Sequence, residues 1–212
     1  MTSFTSILRH ANLLVILPFL FSCSTSQSIN QEGKERAIDV GTYTVGLPSG
    51  ENWNVEIDKR VGSVRFLKQP KSLFGRGGLP TTIIQVSYNW VVEEKMWQLS
   101  EEEIANDYRD GEIANMTMAG VLPGSYELHD AKKDIITLDG KKLYTLSYKQ
   151  MGGKWFGTDK ISESMLYMYF PSSFKEAHTF YLFLISEVHK REKEIAADLT
   201  PIFQVIKSLR LK

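Results

Sequence analysis

The chain has 212 residues, and its 25 lysine and arginine residues balance its 25 aspartate and glutamate residues, so the formal net charge is zero. Acidic and basic residues are interspersed, whereas nucleic-acid-binding domains usually concentrate basic residues on one face. The composition therefore argues against a nucleic-acid partner. A single cysteine excludes an intramolecular disulfide framework, which needs an even number of cysteines.

The first 22 residues have the organisation of an export signal. Arg9 gives this segment a positive charge without an accompanying acidic residue, and residues 13–21 form an apolar run. The run is too short for a membrane-spanning helix, which needs about 20 apolar residues. We therefore expect residues 1–22 to be a cleaved signal peptide.

The signal ends in the four residues Leu20-Phe21-Ser22-Cys23. They resemble the lipobox of bacterial lipoproteins, in which the cysteine thiol receives a diacylglycerol, the signal is cut just before it, and the freed amine is acylated. The resemblance implies lipidation at Cys23. Ser24 follows in place of an aspartate, which in Gram-negative lipoproteins implies the outer membrane. We therefore expect a chain anchored by lipid in the cell envelope, on the periplasmic face of the outer membrane. An ordinary secretory signal with an incidental cysteine is the alternative.

Residues 23–36 are expected to be a lipidated, flexible tether, because Ser, Thr, Gln, Asn, Gly and Lys dominate their composition. Residues 37–212 then form one globular domain of ordinary size. In its first half, alternation of apolar and polar residues predicts short strands over 43–47, 53–57, 63–67 and 84–90. The last of these places Ile84, Val86, Tyr88 and Trp90 on one face, which is typical of a half-buried strand.

The first predicted helix opens at Ser100. Glu103 stands three residues later, so the pair fits a capping box, and three consecutive glutamates favour the positive end of the helix dipole. Apolar residues at helical spacing predict its inner side: Ile104, Tyr108, Ile113 and Met116.

A hairpin and two central strands follow the helix. Asp139-Gly140 joins two alternating runs, 135–138 and 143–148, and is a strong hairpin signal. Residues 165–170 and 180–185 are apolar on both faces, which predicts central strands covered from both sides.

The chain ends in apolar residues at helical spacing: Ile195, Leu199, Ile202, Phe203, Ile206 and Leu209. Thr200-Pro201 is expected to restart or kink this helix, since proline suits a first-turn position. Together the elements predict an α+β domain, with a central antiparallel sheet flanked by helices.

The ends of the domain resemble a known family. Residues 43–48, Tyr-Thr-Val-Gly-Leu-Pro, followed by Trp53-Asn54-Val55, are similar to the opening of Mog1/PsbP-like domains, and residues 203–210 are similar to their closing helix. The resemblance implies a Mog1/PsbP-like sandwich with helices on both sides of the sheet. Members mostly bind or assist assembly and lack a shared catalytic centre, so the resemblance implies no catalytic residue.

Two connections between predicted strands combine glycines, cations and aromatic residues, over 71–78 and 151–157. Such residue types anchor protein interfaces, and glycine lets the backbone approach a partner closely. The alternative is a pair of long turns whose aromatic residues fold back onto the sheet. The candidate binding residues are Phe74, Arg76, Lys154, Trp155 and Phe156.

Catalytic and metal motifs are not visible in the sequence. It lacks a nucleophile elbow and a phosphate-binding glycine motif. Three histidines follow the signal, His129, His178 and His189, without the spacing of a zinc site. We therefore expect no catalytic residue, no metal and no cofactor.

These observations favour a membrane-anchored, non-catalytic binding or assembly module in the cell envelope, with an envelope protein or polymer as partner. Two alternatives stay open. The aromatic and methionine-rich strands at 165–170 and 180–183 could line a cavity for a lipid or other apolar ligand. A hydrolase with an unrecognised site is the more remote alternative.

Overall fold

The computed structural model describes residues 25–28, 37–69, 81–120, 127–151, 160–190 and 198–212. The strands are β1 (Thr25–Ser28), β2 (Ala37–Asp39), β3 (Tyr43–Gly46), β4 (Trp53–Asp58), β5 (Ser63–Lys68), β6 (Thr82–Trp90), β7 (Glu127–Leu138), β8 (Lys141–Met151), β9 (Lys160–Tyr169), β10 (Thr179–Lys190) and β11 (Arg210–Leu211). The helices are α1 (Glu101–Gly120), α2 (Phe174–Ala177) and α3 (Thr200–Ser208), with a 3-10 turn at Glu94–Met96.

The described strands form two antiparallel sheets. The large sheet has the order β1-β4-β5-β6-β10-β9-β8-β7, and the small one has the order β11-β3-β2. Because strand neighbours are antiparallel, the register defines two ends of the large sheet. We call them the Trp90 end, where β6 finishes opposite Thr179, and the Thr82 end, where β6 begins opposite Glu187.

Each face of the large sheet carries its own apolar core, so the expected α+β class with helices on both sides is confirmed. On the α3 face, α3 and the small sheet cover the strands; buried side chains there include Tyr43, Phe66, Ile84, Tyr167, Phe183, Ile202 and Val205. On the α1 face, α1 and α2 cover them; buried side chains there include Ile104, Ala105, Tyr144, Leu146, Met168, Phe174 and Leu182. The central strands β9 and β10 contribute to both cores, as their doubly apolar sequences predict.

The amino-terminal segment differs from the expected tether at four residues. Thr25–Ser28 pair with β4, with Thr25 opposite Ile57 and Ser28 opposite Asn54. The pairing satisfies backbone groups along the free edge of β4, which would otherwise face water. Composition did not indicate this strand, because the pairing depends on the backbone of β4 and on no apolar pattern in the segment itself.

Local sequence signals determine where α1 and α3 begin. At α1 the capping box is confirmed: Ser100 N donates to Glu103 Oε2 at 2.8 Å, and Glu103 N donates to Ser100 Oγ at 3.2 Å. At the carboxyl end, α3 begins at Thr200 with Pro201 in its first turn, a position that suits proline. Ile195, assigned to the same amphipathic segment, lies outside the described residues.

The predicted hairpin is present, with strands longer than the sequence pattern indicated. Asp139 and Gly140 both have positive φ, 52° and 73°, as a two-residue hairpin turn requires. β7 extends back to Glu127, past an irregularity in register between His129 and Lys132, where Asp130 also has positive φ. This edge strand is mostly exposed and carries charges, so its first half lacks the alternation that a buried strand shows.

Candidate functional site

The residues predicted to carry the function lie outside the described residues, namely Cys23, Phe74, Arg76, Lys154, Trp155 and Phe156. The structure instead gives the positions of the strands to which their segments are joined. Residues 70–80 follow β5 and precede β6, and residues 152–159 follow β8 and precede β9. All four strand ends lie at the Thr82 end, because Lys68 pairs with Thr82 and Met151 pairs with Ile161.

A row of polar side chains crosses the sheet beside these strand ends. Thr82 lies opposite Glu187, Glu187 opposite Glu163, and Glu163 opposite Lys149. Thr82 Oγ1 donates to Glu187 Oε1 at 3.2 Å, and Lys149 Nζ lies 3.5 Å from Glu163 Oε1. Cross-strand pairs of this kind stabilise a sheet and fix its register.

Three buried serines form a polar cluster on the large sheet. Ser162 Oγ and Ser164 Oγ lie 2.8 and 3.0 Å from Ser186 Oγ, on the α1 face. Tyr148 adds a hydrogen bond to Ser164, although burial raises the pKa of the tyrosine hydroxyl. The serine hydroxyls bond to one another, which is how buried hydroxyls are normally satisfied.

A serine nucleophile needs a neighbouring base. Among the described residues, carboxylates bond to hydroxyls at Thr82–Glu187, at Ser100–Glu103 and at Asp198–Thr200. The first pair joins two strands, the second caps α1 and the third lies at the start of α3, so all three have a structural role.

The described histidines have structural neighbours. His178 stacks on Trp97, with ring centroids 4.3 Å apart and planes 6° from parallel. His129 Nε2 lies 3.5 Å from Glu127 Oε2. In the described ranges, histidine, cysteine, aspartate and glutamate side chains form no group of three that could hold a metal ion.

The Trp90 end presents an exposed apolar surface. Five of the eight large apolar residues that are exposed in the described part lie there: Val61 (44%), Trp90 (59%), Val92 (63%), Trp97 (43%) and Leu211 (42%). Leu211 is assigned to this end because it pairs with Tyr43, whose hydroxyl donates to Gly62 O and Val86 O near the Asp58–Ser63 turn. We call these five residues the Trp90 surface.

Aromatic contacts connect this surface to the α3-face core. The Trp90 and Tyr88 ring centroids are 6.3 Å apart, and Tyr88 lies 5.6 Å from Tyr181. Tyr181 in turn meets Tyr43 edge-on at 5.5 Å, and its burial raises the pKa of its hydroxyl to about 12. The Trp97 side chain is also held in place, because its Nε1 donates to Val91 O at 3.0 Å.

The sequence did not single out the Trp90 surface. Alternation correctly placed Trp90 on the face of Ile84 and Val86, but it could not show that the covering elements stop short of this end. The sequence does contain a signal for an apolar surface, because three consecutive apolar residues, Trp90-Val91-Val92, stand directly before Glu93 and Glu94.

The residues proposed to line an apolar cavity pack on both sides of the sheet instead. Tyr167 and Phe183 lie in the α3-face core, and Met168, Phe180 and Leu182 lie in the α1-face core. The Tyr167 hydroxyl is buried without a hydrogen-bond partner in the described part of the chain.

In the described ranges, no helix has both the length and the apolar character needed to cross a bilayer. No family model and no curated protein matches the chain. Among solved structures, the chain is similar to the solution structure of cyanobacterial PsbP (CyanoP) from Synechocystis sp. PCC 6803, at 15% sequence identity and a TM-score of 0.47. The match covers 88% of this chain and 98% of that one. The likeness concerns the arrangement of strands and helices alone.

Proposed function

We propose that the chain is a lipid-anchored, non-catalytic binding or assembly module of the bacterial cell envelope. Its anchor is the acylated Cys23, and its partner is an envelope protein or polymer bound through Phe74, Arg76, Lys154, Trp155 and Phe156. The proposal is supported by the register of the large sheet. In this register, the anchor joins one end of the sheet and the binding segments join the opposite end.

The anchor joins at the Trp90 end. Thr25 lies opposite Ile57, Ile57 opposite Val64, and Val64 opposite Val86. Since β1 runs antiparallel to β4, the chain that precedes Thr25 enters from beyond the Asp58–Ser63 turn.

The candidate binding segments join at the other end. β10 runs from Thr179, opposite Trp90, to Lys190, opposite Lys160, so its 12 residues span the sheet. At about 3.3 Å per residue this is roughly 40 Å. A domain anchored at one end of such a sheet carries its binding segments away from the bilayer, within reach of a partner at high effective concentration.

The anchoring half of the proposal is tested by Cys23→Ser. We expect wild-type protein from cells to sediment with membranes and to begin at a cysteine that carries acyl mass in mass spectrometry. The variant should lose the acyl mass and the membrane attachment together, because only the thiol forms the thioether. A wild-type chain that begins elsewhere, or that carries no acyl group, would refute the anchor.

The binding half is tested by a double variant, Phe74→Ser with Trp155→Ser. We expect it to lose cross-links to envelope neighbours in whole cells while its melting temperature stays that of the wild type. Ile135→Ser removes an exposed apolar side chain from the outer strand β7 and serves as the control. A large drop in melting temperature would mean that the two aromatic residues belong to the core. A stoichiometric lipid retained by the purified domain, besides its own acyl chains, would favour the carrier function.

A further inference from the structure

We propose that the Trp90 surface contacts the bilayer that holds the chain's own acyl groups, so that the domain stands upright on the membrane. This inference rests on the proposed lipidation of Cys23. It goes further, because a lipid on a flexible tether would leave the orientation of the domain free.

The lipid anchor can reach only a short distance beyond β1. Cys23 precedes Thr25 by two residues, which span at most about 7 Å when extended. Thr25 lies in the row of Val86, and Trp90 is four residues further along β6, about 13 Å beyond that row. While β1 is paired with β4, the Trp90 end of the sheet therefore extends at least as far from the row of Val86 as Cys23 can. A bilayer that takes up the acyl chains at Cys23 must come close to Trp90.

The residues of the Trp90 surface are of the kinds that favour a membrane interface. Tryptophan is enriched at membrane interfaces, where its ring is apolar and its indole N–H meets a polar group. Two exposed tryptophans lie here, together with Val61, Val92 and Leu211, and the rest of the described surface exposes only three other large apolar residues. The concentration at one end distinguishes this surface from the scattered apolar residues that any protein exposes.

Charge around the surface is nearly balanced. Residues 58–60 and 93–95 contribute three acidic and three basic side chains, and Arg60 and Lys95 have acidic neighbours, Asp58 and Glu93. Beside Leu211, Lys212 is paired with Asp39 at 2.7 Å, which leaves Arg210 as the one excess positive charge in this count. Attraction to anionic lipid is therefore not expected to dominate, and apolar insertion should drive the contact.

The tryptophan side chains of the Trp90 surface are already held in position in the absence of a membrane. Trp97 is held by its hydrogen bond to Val91 O and by stacking on His178, and Trp90 lies against Tyr88. Rigid side chains lose little conformational entropy on binding, so the apolar contact is not offset by ordering.

The test uses the mature lipidated protein reconstituted into phosphatidylcholine vesicles with brominated acyl chains, which quench tryptophan inside the interface. Two of the chain's four tryptophans lie on the surface, so we expect about half of the emission to be quenched. Trp90→Phe combined with Trp97→Phe should abolish most of the quenching, whereas Trp53→Phe, which removes a buried tryptophan at the Thr82 end, should raise the quenched fraction to about two thirds. Addition of phosphatidylglycerol or salt should have little effect, because the nearby charge is nearly balanced.

A second variant keeps all tryptophans. Val61→Glu combined with Val92→Glu changes two exposed residues. It should reduce the quenching, because two added carboxylates oppose insertion of the Trp90 surface into the membrane interface. Protein that stays on the vesicles without quenching would overturn the membrane contact and leave the anchor intact. Protein that does not sediment with vesicles at all would refute the anchor itself. Unquenched protein whose oligomeric state in detergent changes on Trp90→Phe would assign the surface to a second copy of the chain.

Discussion

Replacing Arg109 by methionine is expected to lower the free energy of unfolding by about 3 kcal/mol, because the guanidinium makes charge-assisted hydrogen bonds in a buried site. Arg109 is 3% exposed. Its Nη1 donates to Asp134 O at 2.9 Å and to Thr145 O at 3.0 Å, its Nη2 donates to Asn106 Oδ1 at 2.7 Å, and its Nε donates to Ala105 O at 3.1 Å. One side chain thus joins α1 to both β7 and β8.

The arginine is desolvated without a carboxylate contact among these partners. Burial lowers its pKa, and the more distant charges of Asp110 and Glu102 raise it. The guanidinium also lies 5.6 Å from the Tyr144 ring centre. Methionine fills a similar volume but leaves the four oxygen atoms without the guanidinium donor. The loss of stability therefore reflects the lost hydrogen bonds rather than a cavity.

The measurement is urea unfolding followed by circular dichroism, with Arg65→Met as the control. Arg65 is exposed on β5 and lies 3.8 Å from Glu56, a pair that contributes little in water. Its replacement should change the unfolding free energy by less than about 0.5 kcal/mol. Equal losses in the two variants would show that the network around Arg109 is not a specific link between helix and sheet. For a domain of this size, 3 kcal/mol corresponds to a fall of roughly 10 °C in melting temperature.

Elements with a local signal were predictable. Strands β3 to β6 alternate between two environments, and the Asp139-Gly140 turn needs positive φ at both residues, so a few neighbouring residues determine the outcome. The start of α1 depends on Ser100 and Glu103, three residues apart. Such features need no knowledge of the distant chain.

Elements that depend on distant partners were not predictable. β1 and β11 are four and two residues long, and each exists because another strand offers free backbone groups. Arg109 looks like a surface charge in the run Asp107-Tyr108-Arg109-Asp110. Helical spacing places it between Ala105 and Ile113 on the inner side, but only the strands β7 and β8 supply the carbonyls that make burial acceptable.

The same distinction applies to function. The lipobox resemblance is a local pattern, and it led to the anchor proposal from four residues. The Trp90 surface could be found only once the register was known, because Val61, Trp90 and Leu211 are far apart in sequence and lie at the same end of the folded sheet. In the proposed arrangement, the pairing of β1 with β4 holds the lipidated cysteine near the end of the sheet that carries the Trp90 surface. This pairing would therefore determine how the domain is oriented on the membrane.

Replacing Tyr43 by phenylalanine is expected to destabilise the domain by about 1 kcal/mol, whereas the same change at Tyr167 should be neutral or stabilising. Both side chains are fully buried in the α3-face core. The Tyr43 hydroxyl lies 3.1 Å from both Gly62 O and Val86 O and donates its proton between them, which ties the small sheet to the β5–β6 region. The Tyr167 hydroxyl has no partner in the described part of the chain, so it is desolvated without compensation.

The two substitutions remove the same atom from equally buried rings, so their difference isolates the value of the hydrogen bond. We expect the unfolding free energies of Tyr43→Phe and Tyr167→Phe to differ by about 1 to 2 kcal/mol in the same urea titration, since one variant loses a satisfied hydroxyl and the other loses an unsatisfied one. The Tyr167 ring keeps its edge-on contact with Phe203 at 5.8 Å in both proteins. A loss of stability in Tyr167→Phe as large as that in Tyr43→Phe would mean that the Tyr167 hydroxyl is bonded in solution. The donor or acceptor would then be sought in the parts of the chain that the structure does not describe, or in an enclosed water.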